Sequence, residues 1–189
     1  EGERVIDDLI DDATRRMDKS VESTQVEFNT VRTGRASAAL LDRIQVDYYG
    51  QPTPLKQLAT INVPEPRLLT VQPFDPSSLK AIERAIQESE LGLTPSNDGK
   101  VIRLPIPQLT EERRKELVKI VRQIAEDGRI AIRNVRRDVD KHLKELKTQG
   151  QVGEDDERRA EDRVQKVTDG HTSKIDDLLR RKETEITEV

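Results

Sequence analysis

Four arginines, Arg129, Arg133, Arg136 and Arg137, fall within nine residues of the stretch RIAIRNVRRDVDKHLK, residues 129 to 144. A guanidinium is planar, stays charged and donates hydrogen bonds in pairs, so arginines at this spacing fit recognition of phosphate or carboxylate oxygens. Read as a helix, the stretch sets Ile132, Val135, Val139 and His142 or Leu143 on one stripe and the arginines on the neighbouring surface. One face can pack and the other can grip an anion. Charge alone leaves a second reading open, in which the arginines only keep a helix solvated.

No catalytic arrangement accompanies them. His142 and His171 both fall in apolar registers, where core or boundary positions are the simpler reading. No GxxxxGK[ST] loop and no strand-linked GxGxxG is present to cradle a nucleotide. Asp7-Asp8 and Asp11-Asp12 have the look of a paired-aspartate magnesium site, but they stand at the start of a helix, where acids are favoured by the dipole. Without cysteine, disulfide and thiol chemistry are excluded. The reading is a non-enzyme with no cofactor and no metal. Its aromatic residues are only Phe28, Phe74, Tyr48 and Tyr49, too few for a stacking platform, so any RNA would be met through phosphates and shape.

The charge is distributed to suit such a role. The net charge is only −4, and a strongly basic nucleic-acid binder would show otherwise. Yet residues 111 to 147 carry 12 Lys/Arg against 8 Asp/Glu, while residues 1 to 33 carry 5 against 9 and residues 148 to 189 carry 8 against 12. A basic segment is thus flanked by two acidic ones. No apolar run approaches 18 residues, and residues 1 to 16 lack the apolar core of a signal peptide, so a cytoplasmic protein away from the membrane is expected.

The elements that must position these arginines follow from proline placement. All nine prolines lie between Pro52 and Pro107, so long helices are allowed only in the flanks. In the first flank Ile10, Ala13, Met17, Val21, Thr24, Phe28 and Val31 recur every three or four residues, predicting a helix from about Glu3 to Arg32 closed by Gly34. A second register runs Leu117, Val121, Ile124, Gly128, Ile132, Val135, Val139, His142, Leu146, and a third Ala160, Val164, Val167, His171, Ile175, Leu178, Lys182, Ile186. Three long helices of matched period predict an antiparallel three-helix bundle. Between them, strands are expected at Arg43–Tyr49, Ala59–Val63, Leu68–Gln72 and Lys100–Ile106, with a helix from Pro76 to Glu90 capped by Asp75. The fold class is α+β: residues 1–33 and 109–189 form the bundle, and residues 34–108 form an inserted small β/α domain.

Several of these segments also carry a resemblance. Arg32-Thr33-Gly34-Arg35, Tyr48-Tyr49-Gly50 with Pro52-Thr53-Pro54, Leu91-Gly92-Leu93, Leu109-Thr110-Glu111-Glu112-Arg113-Arg114-Lys115 and Arg133-Asn134-Val135-Arg136-Arg137-Asp138 together resemble the bacterial ribosome recycling factors over essentially the whole chain. The resemblance implies an L-shaped, two-domain, monomeric molecule whose partners are the ribosome and the GTPase elongation factor G. With that GTPase, such proteins separate the subunits of the post-termination ribosome, so that messenger RNA and deacylated transfer RNA leave. By the same resemblance Arg114, Arg133 and Arg136 face large-subunit ribosomal RNA, with Arg32, Arg129 and Arg137 as neighbours, and Thr33, Gly34, Gln108 and Leu109 form a hinge. Gly128 and Val139 stand where alanines are expected, and a helical glycine should loosen the bundle there. The alternative from a different class is a helical-bundle scaffold whose arginine face binds an acidic protein.

Overall fold

The computed structural model describes residues 1–188 and divides into two units, residues 1–33 with 111 onward, and residues 34–110. The expected α+β class holds, with long helices in one unit and a small β-rich fold in the other.

The first unit is made of α1 (Gly2–Asn29), α4 (Glu111–Thr148) and α5 (Glu154–Thr187). Ion pairs fix their directions. Arg16 on α1 meets Asp138 on α4 at 2.8 Å, while Arg163 on α5 meets Asp7 on α1 at 2.8 Å. Further along, Thr24 of α1 faces Gly128 of α4, Asp18 of α1 meets His171 of α5, and Arg122 and Arg129 of α4 meet Glu183 and Asp176 of α5, so α4 runs antiparallel to both neighbours, which run parallel to each other. Ile6, Ile10, Ala13, Met17, Thr24 and Phe28 of α1 pack with Leu117, Val121, Ala125, Ile132, Val135, Val139, Leu143 and Leu146 of α4 and with Ala160, Val164, Ile175 and Ile186 of α5.

Three helical details differ from the sequence reading. α1 stops at Asn29, where the Thr30 and Val31 backbone N–H groups turn back to the carbonyls of Glu27 and Phe28, each three residues earlier, leaving residues 31 to 34 outside the helix. On α4 the buried stripe passes through Ala125 and Leu143, so Ile124 is half-buried and His142 is exposed. Gly128 does not loosen the bundle. It is a point of close approach, where an added Cβ would clash with Thr24 Oγ1 of α1 and lie 2.8 Å from Ile175 Cδ1 of α5.

The second unit holds α2 (Leu55–Leu58), α3 (Leu79–Gln87) and six short strands: β1 (Gln45–Tyr48), β2 (Gln51–Pro54), β3 (Ala59–Glu65), β4 (Leu68–Pro73), β5 (Ser96–Asn97) and β6 (Ile102–Pro105). β1 and β2 form an antiparallel hairpin, and a four-stranded antiparallel sheet has the order β3-β4-β6-β5. Leu69 and Val71 of β4 lie opposite Leu104 and Ile102 of β6, and with Leu79, Ile82 and Ile86 of α3 they build a separate core. β3 runs through Pro64 to Glu65 instead of stopping at Val63. An edge strand tolerates proline, and the register is interrupted between Asn62 and Glu65 at that point. The helix expected from Pro76 begins as a 3₁₀ turn, Pro76–Ser78, with the Asp75 side chain accepting from the Ser77 N–H, and α3 ends at Gln87. β5 is only two residues long and follows Pro95, so it carried no strand signal.

Candidate nucleic-acid interface

The α4 arginines are sorted by the packing of α4 on α5. Arg122, Arg129 and Arg136 recur every seven residues and so lie along one edge of the helix, facing α5. Arg122 Nε donates to Glu183 at 2.7 Å. Arg129 donates from Nε at 2.9 Å and Nη2 at 2.6 Å to Asp176 Oδ1. Arg136 Nη1 donates to Gln165 Oε1 at 3.2 Å, and its Nε stands 3.9 Å from Asp140 Oδ2, buried and without a hydrogen-bond partner. The three therefore tie α4 to α5. Arg122 was not foreseen from the sequence as part of this set; its seven-residue spacing from Arg129 was the available signal.

Arg133 lies on the outer side of that edge. Its Nη2 donates to Glu126 Oε1 at 2.6 Å, and Glu126 Oε2 accepts from Arg129 Nη1 at 3.2 Å. The Arg133 hydrogen bond, helped by Arg129, holds the Glu126 carboxyl below its usual pKa. Burial opposes the charge on Arg129, but its hydrogen bonds to Asp176 and Glu126 override this and raise its pKa further. Arg137 is exposed and makes no ion pair among the described residues, as does Arg32 in the segment after α1. Arg114 is half-buried in the first turn of α4, with its Nε buried and unpartnered. Of the six arginines singled out in the sequence, Arg129, Arg133, Arg136 and Arg137 thus share one stretch of α4. Arg114 lies more than three turns before it.

Of the residues expected at a hinge, Thr33 and Gly34 flank one boundary between the two units, and Gln108 and Leu109 lie just before the other, Thr110–Glu111. Thr33 Oγ1 donates to Glu185 Oε2 of α5 at 3.5 Å. Gly34 has φ +75, and an added Cβ would stand 2.9 Å from Leu109 Cγ, so its missing side chain and left-handed backbone are both used. Gln108 is exposed beside the half-buried Leu109. His171, by contrast, is structural. It is buried, with Nε2 2.6 Å from Asp18 Oδ1 and Nδ1 donating to the Val167 carbonyl at 2.7 Å, and it joins α5 to α1. Two of the four acids of the Asp7 to Asp12 run are paired with arginines, Asp7 with Arg163 and Asp12 with Arg15.

Guanidinium groups gathered along one edge of α4 are suited to anionic oxygens, and comparison with known proteins names the class. The family model described as ribosome recycling factor matches residues 24–187. The chain belongs to the ribosome recycling factor family. A ribosome-recycling factor of Rubrobacter xylanophilus is 56% identical over 184 residues, covering 96% of this chain and 99% of the relative. One of Geobacillus kaustophilus is 53% identical over 181 residues, covering 96% and 98%. Among solved structures, a solution structure of the ribosome recycling factor aligns with a TM-score of 0.74 at 43% identity, covering 97% of this chain and 98% of that one. A T. thermophilus ribosome recycling factor, described with E. coli elongation factor G bound to the E. coli post-termination complex, aligns with a TM-score of 0.64 at 48% identity, covering 96% and 98%. No helix among the described residues is long and apolar enough to cross a membrane.

Proposed function

We propose that this chain recycles ribosomes by docking the outer arginine edge of α4 on large-subunit ribosomal RNA. It binds the post-termination ribosome and, with elongation factor G, promotes subunit dissociation and release of messenger RNA and deacylated transfer RNA, as its family membership supports. It works in the cytoplasm, as a monomer, and catalyses no covalent step; the hydrolysis that drives separation belongs to the GTPase. The family match favours the ribosome over an acidic protein as the target of the arginines.

The observation that carries the RNA contact is the division of the α4 arginines. Arg122, Arg129 and Arg136 are spent on α5, while Arg133 keeps most of its donors free and Arg137 has no ion-pair partner among the described residues. Phosphate contact is the largest part of affinity for RNA, and a cation already bound on several sides offers less of it. Arg133 and Arg137 therefore lead the contact. Arg114 and Arg32 extend it, and Arg129 and Arg136 mainly hold the surface in place. The crossings at Thr33, Gly34, Gln108 and Leu109 serve as the hinge for the 34–108 domain.

Arg133→Ala with Arg137→Ala tests the contact. Large-subunit affinity is expected to fall roughly tenfold or more, with the dependence of log affinity on log salt becoming shallower by up to about 2 as two phosphate contacts are lost. Unchanged affinity in a variant of normal helicity would overturn the assignment.

A further inference from the structure

The pairing of Arg133 with Glu126 is unusual in its reach. The two residues are seven apart on α4, about 10 Å along the axis, so both side chains must extend toward each other past Arg129 to meet at 2.6 Å. Ordinary ion pairs on a helix join residues three or four apart, which are already neighbours. Holding two long side chains in one geometry also costs rotamer entropy. The contact is supported because Glu126 engages two cations at once, Oε1 taking Arg133 Nη2 and Oε2 taking Arg129 Nη1 at 3.2 Å. One anion thus sits between two guanidinium forks, the position a phosphate would take between the same two forks. Arg129 cannot follow Glu126 if it leaves, because its Nε and Nη2 remain on Asp176. Arg133 has no second carboxylate and can turn outward.

We propose that Glu126 is an internal occupant of the phosphate site: it holds Arg133 and the free fork of Arg129 in the unbound protein and yields them to an RNA phosphate on docking. This rests on the arginine edge being the RNA-binding surface. The consequence is selectivity. A stray RNA that offers one or two phosphates must displace a carboxylate already in place and gains little. The ribosomal site offers phosphates to Arg137 and its neighbours at the same moment and can meet the cost of displacing Glu126. Displacing the acid costs every RNA that takes the site the same free energy, so complexes with few other contacts fall below the affinity needed to form while the many-contact ribosomal complex stays above it. The acid gives a chain with a basic stretch of α4 a way to avoid RNA that is not its target.

The test uses the full chain as wild type, Glu126→Gln, Arg133→Gln and the double variant, with far-UV circular dichroism to check helicity. Each is titrated against purified large ribosomal subunits and against an RNA duplex of unrelated sequence, at several salt concentrations. Glutamine matches glutamate in size and keeps one acceptor oxygen, while it removes the charge and turns the other acceptor into an amide NH2 that can no longer hold a guanidinium. Glu126→Gln is expected to bind the unrelated duplex about fivefold tighter or more, the effect of freeing the Arg133 guanidinium for one phosphate contact. Its salt dependence should steepen by about one phosphate contact, ~0.7–0.9 in the log–log slope. At a fixed, low protein concentration the duplex should pass from largely unbound to bound while ribosomal subunits stay saturated, and the gain should vanish in the Arg133→Gln background. A folded Glu126→Gln protein that binds duplex no better than wild type, or a gain that survives Arg133→Gln, overturns the proposal. If instead Arg133→Gln leaves ribosomal affinity intact, the RNA-binding reading of this edge fails, and the role of Glu126 fails with it.

Discussion

Arg129 and Arg133 are four residues apart on one helix, yet the structure gives them different work. Arg129 has a side chain only 24% exposed and donates to two carboxylates, while the Arg133 side chain is 42% exposed and donates to one. Truncating Arg129 to alanine should therefore lower stability by about 1–2 kcal/mol, since it frees Asp176 and Glu126 at a partly desolvated helix interface. Arg137→Ala should leave thermal denaturation unchanged and alter only RNA binding. A second group of residues near the far end of α4 behaves in the opposite way. Burial raises the pKa of Glu161, and the charges of Glu157 and Asp140 and a hydrogen bond with Glu157 add to the rise. Burial likewise raises that of Asp140, against the opposing effect of Arg136 and Lys144. A carboxyl whose folded pKa lies above its unfolded value destabilises the fold when ionised. This cost is complete above the folded pKa and disappears below the unfolded one. Glu161→Gln should accordingly raise the melting temperature at neutral pH, and the gain should fade as pH drops through the folded pKa toward the unfolded value, a pattern readable from thermal melts across pH.

At the scale of elements, the bundle depends on one close approach. Gly128 of α4 faces Thr24 of α1 and Ile175 of α5, and Thr24 Oγ1 is itself engaged with the Ser20 carbonyl at 2.8 Å. Thr24 is β-branched and stiff at χ1, so it gives way poorly. Alanine would gain about 1 kcal/mol of helix propensity. Overpacking a tight contact costs about 1–3 kcal/mol, and the larger effect should win. Gly128→Ala is expected to lower stability by up to about 2 kcal/mol in denaturant titrations. Increased stability would show that the three helices separate there more readily than their packing implies. Sequence periodicity located this register but not its meaning. A helical glycine reads as a weakness when only its own helix is considered, and as a requirement once two other helices lie against it.

The whole molecule holds two independent cores. The 34–110 unit buries Leu41, Val46, Leu55, Leu69, Val71, Ile82, Ile86, Ile102 and Leu104 together, and its sheets are complete within its own chain segment. A segment of this size that closes its own core and hydrogen-bonding ladders meets the physical requirements of a domain. Excised as residues 34–110, it should give a cooperative thermal transition by circular dichroism. A sloping, non-cooperative melt would mean that its fold depends on the helical unit. The helical unit is assembled from two distant segments of chain, residues 1–33 and 111 onward.

The sequence by itself determined the α+β class, the three helical registers and the confinement of strands to the proline-bearing middle, because periodicity and proline chemistry act locally. Strong signals such as Asp75-Pro76 and the alternation of Ile44, Val46 and Tyr48 placed elements correctly, while the edges of elements escaped it. Whether α1 stops at Thr30 or Gly34, and whether Pro64 interrupts β3, depends on hydrogen-bond partners and neighbouring strands that no local pattern records. The family could also be read from motifs spread along the chain. What only the tertiary structure decided is which arginine does what. Every guanidinium on α4 carries the same charge, and the sequence cannot say which of them α5 will engage. Distances to Glu183, Asp176, Gln165 and Glu126 separate the arginines that fasten the bundle from Arg133 and Arg137, because an ion pair depends on side chains meeting in space across 47 to 61 residues of chain, as for Arg129 with Asp176 and Arg122 with Glu183.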